Sequence, residues 1–122
     1  GKVQVHYFAK DALGKCGTET ITLEQAVDLK YGHPAAGALV VQTLALLASA
    51  QATHVSALPP GTRLLTLRMS KEGVATVDYN AKLLEGLSDC NKPQRRAQIE
   101  RTLKEFSEIK SVVITVDGKV WE

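Results

Sequence analysis

Three histidines are the side chains in this sequence best suited to catalysis or metal binding. His6 lies in an alternating apolar and polar segment, His33 precedes a proline, and His54 lies in an uncharged connection. No two of them have metal-ligand spacing, and none accompanies a serine or cysteine in a known nucleophile motif. Glycine-rich phosphate-binding motifs are also absent from the sequence. We therefore predict that the chain is not an enzyme, and we identify no metal, cofactor or small-molecule substrate.

Asp78 and Asp117 are the carboxylates that need separate consideration, because a pair of carboxylates can perform acid–base catalysis. Asp78 lies near the end of a predicted strand, and Asp117 lies directly after the last predicted strand. An aspartate at such a position commonly accepts hydrogen bonds from a turn. We therefore assign structural roles to both residues.

The second long helix carries the only local concentration of charge in a chain whose net charge is +2. One exposed basic side of a helix is usually a solvated surface, and here it is a candidate interaction surface. The residues assigned to that surface are Arg95, Arg96, Arg101 and Lys104. Nucleic-acid binding would require aromatic residues arranged for base stacking on an open sheet, and the strands lack that pattern. We predict no nucleic-acid partner.

The two cysteines, Cys16 and Cys90, lie in polar loops far apart in the sequence. Neither belongs to a Cys-x-x-Cys pair or lies near a histidine at ligand spacing, which argues against zinc. Two alternatives remain, namely two unrelated buried thiols or one disulfide. A disulfide would indicate an oxidising compartment.

The length of 122 residues is that of one domain, and 44% hydrophobic with 23% charged residues is typical of a globular protein. Residues 31–62 contain no formally charged side chain. A membrane span needs about 20 apolar residues, and Gln42, Thr43 and Ser49 interrupt this stretch. We predict a buried core helix there.

Hydrophobic periodicity and turn residues predict six main elements in the order β-α-β-β-α-β. These are a strand over Val3–Phe8, a helix from Pro34 to about Ser49, strands over Thr62–Met69 and Val74–Tyr79, a helix from Lys92 to Ser107, and a strand over Ser111–Val116. Thr18–Leu23 is a candidate short edge strand, and Asn80 is a candidate helix cap. The predicted class is α/β (α+β), with two long helices packed on one face of a small mixed sheet.

Four segments of the chain resemble a GerMN domain, a bacterial sporulation and germination module. Residues 58–65 (Leu-Pro-Pro-Gly-Thr-Arg-Leu-Leu) and 73–80 (Gly-Val-Ala-Thr-Val-Asp-Tyr-Asn) resemble its middle. Residues 98–106 and 111–118, which end in Val-Asp-Gly, resemble its second half. The matching positions are Gly61, Thr62, Asp78, Gln98, Thr102, Phe106, Asp117 and Gly118. Their residue types indicate turn-formers, caps and core, so the signature concerns folding.

The resemblance implies a disulfide between Cys16 and Cys90, because a subset of the family has cysteines at these two places. It also implies a fold similar to ring-building domains, which assemble side by side. The chain departs from the family by having Ala48-Ser49-Ala50 where members usually have Gly-Pro. Members resemble parts of membrane- or lipid-anchored bacterial envelope proteins outside the cytoplasm, so we expect residues 1–122 to be one domain of a longer anchored protein.

The function that follows is a non-enzymatic, extracytoplasmic interaction or assembly module of the bacterial cell envelope. Its partners would be envelope proteins or further copies of itself. A link to sporulation or germination is implied by the family alone. The alternative is a ligand-binding module for a cell-wall glycan or peptide, with a concave site formed by Tyr31, His33, His54 and the connection 51–61.

Overall fold

The computed structural model describes residues 1–44 and 53–122, which contain seven strands and two α-helices. The strands are β1 Lys2–Ala9, β2 Ile21–Ala26, β3 His54–Val55, β4 Leu64–Met69, β5 Val74–Tyr79, β6 Ser111–Val116 and β7 Lys119–Val120. The helices are α1 Pro34–Leu44 and α2 Asn91–Lys104. The predicted strands and the start of each helix are therefore confirmed within a few residues. The predicted end of α1 near Ser49 lies outside the described residues.

The strands form two sheets, so the prediction of one sheet is wrong, although the α+β class is confirmed. The first sheet has the order β2-β1-β3 and is antiparallel throughout. The second has the order β4-β5-β6-β7 and is mixed, since β5 and β6 run parallel. Strand β1 pairs with β3 only at Phe8 and Ala9, and the backbone of its His6 bonds to the side chains of Thr102 in α2 and Gln42 in α1 rather than to a strand. The two-residue strand β3 is too short to be predicted from periodicity.

Both helices contact both sheets, rather than covering one face of a single sheet. Helix α1 contacts β1 and β4, and α2 contacts β1 and β6. In α1, Ala35 and Leu39 belong to the main core beside β5 and β6, whereas Ala38 packs with Val5 and Tyr7. The helix is therefore buried on more than one side, which explains its almost wholly apolar sequence. Neither described helix is long and apolar enough to cross a membrane.

Turn chemistry fixes the two hairpins of the second sheet. Gly73 has φ +87° between β4 and β5, and a Cβ there would lie 2.7 Å from the carbonyl oxygen of Glu108. Between β6 and β7, Asp117 and Gly118 have φ values of 47° and 84°, as a type I′ turn requires. The Asp-Gly turn signal is thus confirmed. Asn80 makes no side-chain cap, because its side chain bonds to the loop at Gly61 instead.

Candidate interaction groove

An open groove of about 510 Å³ lies between α1 and β4. Its lining comprises Gly32, His33, Ala36 and Val40 on the helix side and Leu64, Leu65, Thr66, Leu67 and Met69 on the strand side. The side chains are predominantly aliphatic, so the groove suits apolar groups of a partner better than a hydrated sugar. Among the described parts of the chain, it is the concave surface that best fits a binding role.

The helix side of the groove is a stripe at four-residue spacing. Ala36 and Val40 line the groove, and Leu44, one turn further along and outside the lining, continues the same helix face, because residues four apart share a face. Leu44 is 56% exposed, although leucine usually contributes to a core. The prediction of a buried core helix over this stretch therefore does not hold for the Leu44 side chain.

The strand side of the groove is shaped by an irregularity in β4. Leu64 pairs with Tyr79 and Thr66 pairs with Asp78, so the register shifts at Leu65. Leu65 is consequently 42% exposed, while Leu67 and Met69 pack partly against the core. Strand β4 is also the edge of its sheet, and no strand among residues 1–44 and 53–122 pairs with its other side. The groove therefore adjoins a free strand edge.

His33 is the ionisable residue that both the sequence and the structure place at the candidate site. Its Nδ1 accepts a hydrogen bond of 3.0 Å from the Ala35 amide, which satisfies one free amide at the start of α1. Its Nε2 lies 3.8 Å from Glu108 Oε2, and its ring packs edge-on against Phe106. These contacts fix the ring at one end of the groove, where it can offer a polar group to a partner.

Among the other residues of the predicted concave site, none whose side chain the structure describes lines the groove. His54 packs against Tyr7 with ring centroids 4.8 Å apart, and it does not line the groove. The predicted connection 51–61 lies partly outside the described residues, as does the side chain of Tyr31. Within the described part of the chain, His33 is thus the member of the predicted set that reaches the groove.

The predicted basic surface is divided by the structure. Arg95 is buried, donates a 2.8 Å hydrogen bond to the Leu83 carbonyl, and has its pKa lowered by burial. Arg96 lies over the Trp121 ring at 4.9 Å and pairs with Glu100. Arg101 donates to the Thr18 carbonyl, and Lys104 is exposed. Because three of the four guanidinium or ammonium groups are committed to intramolecular contacts, the set does not form one basic face.

Five signature residues hold turns around the second sheet. The Asp78 carboxylate accepts from the Thr115 hydroxyl at 2.6 Å and from the Gly118 amide at 2.8 Å, which ties β5 to the β6–β7 turn. Thr62 is buried, and its hydroxyl donates to the Pro59 carbonyl at 2.7 Å. The remaining three, Gly61, Asp117 and Gly118, have positive φ. Asp78 and Asp117 therefore both take part in the β6–β7 turn, Asp78 through its carboxylate and Asp117 through its backbone.

Two further signature residues, Gln98 and Thr102, belong to a buried group that we call the polar seam, which also contains His6 and Gln42. The Gln98 side chain accepts from the Ala57 amide at 2.7 Å and donates to the Ser56 hydroxyl at 2.8 Å. The Gln42 amide lies within 3.1 Å of three acceptors, the carbonyls of His6 and Gln98 and the Thr102 hydroxyl. The seam thus joins β1, α1 and α2 through hydrogen bonds.

Gln42 is a residue whose importance the sequence analysis missed. It appeared there only as an interruption of an apolar helix. A polar side chain within such a helix must find hydrogen-bond partners when it is buried, and Gln42 is 0% exposed. The last signature residue, Phe106, packs against both core clusters close to the end of α2.

Cys16 and Cys90 are joined by a disulfide across 74 positions, with their Cα atoms 4.9 Å apart. The bridge connects the β1–β2 loop to the residue before α2. Gln94 reinforces it by donating to the carbonyls of Leu13 and Gly17 at 3.1 and 2.9 Å. The loop is therefore attached to α2 by covalent and polar contacts together.

His6 also takes part in a row of polar groups that resembles a nucleophile–base chain in composition. Its Nδ1 lies 2.7 Å from the Thr20 hydroxyl, and its Nε2 lies 2.7 Å from Glu105 Oε2. Arg101 also approaches the Thr20 hydroxyl at 3.4 Å. The row is not part of the groove, and it connects the first sheet to the end of α2. The described residues contain no cluster of histidine, cysteine, aspartate and glutamate that could hold a metal.

Comparisons with known proteins agree with this fold. Two solved structures come from the sporulation protein GerM of Bacillus subtilis. Its tandem GerMN domains match with a TM-score of 0.72 and 18% identity, covering 99% of this chain and 41% of that chain. Its first GerMN domain matches with a TM-score of 0.71 and 18% identity, covering 98% and 86%. This chain thus spans less than half of the tandem structure.

A third solved structure is a candidate lipoprotein from Clostridium perfringens, with a TM-score of 0.58 and 18% identity, covering 98% of this chain and 76% of that one. At these identities the likeness shows the fold alone. A search of curated proteins finds no significant match. The profile of the Germane family, described as sporulation and spore germination, matches residues 5–122. Because that match spans nearly all of the sequence, the chain belongs to the Germane family of GerMN domains.

Proposed function

We propose that this chain is a non-enzymatic protein-interaction or assembly module of the bacterial cell envelope, and that it binds its partner through the groove between α1 and β4. The observation that carries the proposal is the apolar lining of the groove together with exposed leucines in it and beside it. Leu65 lines the groove and is 42% exposed, and Leu44, which lies one helical turn beyond the lining residue Val40, is 56% exposed. A partner that covers both removes their apolar surface from water.

Two observations support a location outside the cytoplasm. The disulfide between Cys16 and Cys90 belongs to an oxidising compartment. The solved relative from Clostridium perfringens is a candidate lipoprotein. On this proposal the domain is carried by a membrane- or lipid-anchored protein, and its family description connects it with sporulation and germination. Side-by-side assembly, as in ring-building domains, is the form of interaction that the sequence resemblance predicts.

A second candidate function is recognition of a cell-wall peptide. The observation that favours it is that His33 and Thr66 place polar groups in a predominantly aliphatic groove. A peptide with apolar side chains fits this lining better than a glycan, since sugar rings need several convergent hydrogen-bond partners.

Site-specific photo-cross-linking in the native bacterium tests the proposal. A photoreactive residue replaces Leu65 in the groove, and a second variant carries it at Leu87, which is 39% exposed and outside the groove. We expect a discrete protein adduct from position 65 and none from position 87. The matched exposure of the two sites controls for random contact.

Adducts of equal yield at both positions, or no adduct at either, would contradict the proposal. The groove would then not be the protein-binding surface. Chemical-shift changes at His33 on adding wall peptides, without any protein adduct at position 65, would favour the second candidate instead.

A further inference from the structure

Strand β4 presents a free edge directly beside the groove. Edge strands expose backbone N–H and C=O groups that can pair with a strand of another chain. Strand β4 contains no proline, and its register shift is confined to residues 64–66. The stretch from Leu67 to Met69 is therefore regular and able to accept hydrogen bonds from an added strand. Side chains of that strand would lie over Ala36 and Val40 of α1.

Strand β2 is a free edge of the other sheet and has the same length of six residues. Its register opposite β1 pairs Leu23 with Val5 and Ile21 with Tyr7. Ile21 and Leu23 consequently share one face, and Glu24 points to the other face, because side chains alternate along a strand. Strand β2 thus has one apolar and one polar face, as an added strand would need.

The charges on the two edges are complementary. Arg68 lies opposite Thr76 on the face of the sheet away from the core, and it is exposed. No hydrogen bond or ion pair joins it to another residue in the described part of the chain. The Glu24 side chain is 57% exposed, and its one ion pair is with Lys2, 71% exposed, at 3.5 Å. Such an exposed pair contributes little energy, so Glu24 is free to change its partner.

We infer that a second copy of this chain occupies the groove by adding its β2 strand to the free edge of β4. Ile21 of the second copy, which is 37% exposed, contacts the apolar lining, while Leu23 on the same face stays packed partly against the core of its own copy. Glu24 of the second copy lies on the same face as Arg68. The inference rests on the proposed function, because it specifies the partner of the same groove.

The contact is head-to-tail, since it uses β2 of one copy and β4 of the next. It joins the three-stranded sheet of one copy to the four-stranded sheet of its neighbour. An open assembly keeps one unused β2 edge at one end and one unused β4 edge at the other. Repetition of such a contact gives a ring if the rotation closes and a filament if it does not.

Charge reversal tests this pairing with the intact, disulfide-bonded chain. Sedimentation velocity over a wide concentration range is measured for the wild-type chain, Glu24→Arg, Arg68→Glu and the double variant. We expect the wild-type chain to associate, each single reversal to weaken the association constant by about tenfold or more, and the double variant to associate again. An equal mixture of the two single variants also associates, because each supplies the surface that the other lacks.

The matched control is Lys119→Glu, which makes the same charge change on β7, at the opposite end of the second sheet. It leaves association unchanged. Thermal unfolding of every variant confirms that a loss of association is not a loss of fold. All the changed residues are exposed, so we expect small effects on stability.

A chain that stays monomeric at every concentration overturns the inference, as does association that neither reversal affects. Sensitivity to Arg68→Glu without sensitivity to Glu24→Arg would indicate a symmetric contact between two β4 edges and would also overturn it. The proposed function fails separately. A monomeric chain that still gives a protein adduct at position 65 keeps the interaction groove and loses only the second copy as its occupant.

Discussion

Helix α1 lies between two regions that are built from opposite kinds of contact. In the polar seam, Gln42 donates to acceptors from β1 and α2, and the whole side chain is buried. In the groove, Val40 and Ala36 belong to a predominantly aliphatic lining in which His33 and Thr66 are the polar side chains. The seam uses its hydrogen-bonding groups within the molecule, whereas the groove leaves its apolar area available to a partner.

The difference shows where the family signature acts. Gln98 and Thr102 belong to the seam, and Asp78 holds a turn. None of the eight signature positions lines the groove. Residues that identify the family therefore maintain the fold, and the surface proposed for binding is made of side chains that the signature does not include. Partner choice can consequently differ between members that share the same framework.

Removing the disulfide, which ties the β1–β2 loop to α2, should give the largest loss of stability. For Cys16→Ser/Cys90→Ser we expect the free energy of unfolding to fall on the order of 4 kcal/mol, because the bridge closes a long loop in the unfolded chain. Urea unfolding measures the loss, and hydrogen exchange should increase over residues 10–20 but not in β4. An unchanged free energy of unfolding would mean that Gln94 holds the loop to α2 without the bridge.

Gln42→Met should give the next largest loss, since it keeps the length of the side chain and removes its amide. The carbonyls of His6 and Gln98 and the Thr102 hydroxyl each lose a donor. The Thr102 hydroxyl keeps the His6 amide as a donor, so the His6 carbonyl is the acceptor most affected. A buried acceptor left without a partner costs about 1–3 kcal/mol, and we expect a loss in that range in urea unfolding. The control is Gln4→Met on the exposed side of β1, with a change within about 0.5 kcal/mol. Equal effects would show that the seam contributes no special stability.

Alkaline pH should lower the free energy of unfolding through Tyr7, which lies on β1 next to His6 of the polar seam. Its phenol is 1% exposed, and burial raises its pKa from 10.0 to about 12. The unfolded chain therefore releases this proton at lower pH than the folded chain. Stability is fully present below pH 10.0 and falls as the pH rises toward about 12. Urea midpoints across this range measure the decline, and Tyr7→Phe should make it shallower. If the stability of Tyr7→Phe declines with the same slope, the decline is caused by other groups. Tyr79 is one candidate, because burial raises its pKa too.

Sequence reasoning succeeded where local chemistry decides the structure. Alternation predicted β5 and β6 at their observed bounds, and Asp117-Gly118 predicted the last turn. It failed for the two-sheet arrangement, because the short strand β3 pairs with β1 through a contact distant in sequence. The predicted basic surface also depended on tertiary contacts. Arg95 is buried and donates to the Leu83 carbonyl, a contact that the local sequence does not indicate.

The candidate site was predictable only in part. His33 was proposed as one member of a concave site, whereas the helix that begins at Pro34 was predicted only as a buried core helix. What the sequence could not provide was the position of β4 beside α1, because nothing in either segment specifies which element is its neighbour. The exposure of Leu65 also depends on a register shift against Tyr79 and Asp78, which periodicity does not encode.

The smallest expected effect on stability concerns the groove, and it distinguishes the groove from the core most directly. Leu65→Ala should change the free energy of unfolding by less than about 1 kcal/mol, since the side chain is already 42% exposed. The matched variant Leu58→Ala removes the same atoms from a side chain that is 1% exposed, with an expected loss of about 2–5 kcal/mol. Urea unfolding of the two variants gives the difference. If Leu65→Ala is as costly as Leu58→Ala, the groove is a part of the core. If it is mild for stability yet abolishes partner binding, the apolar area of the groove serves the partner and not the fold.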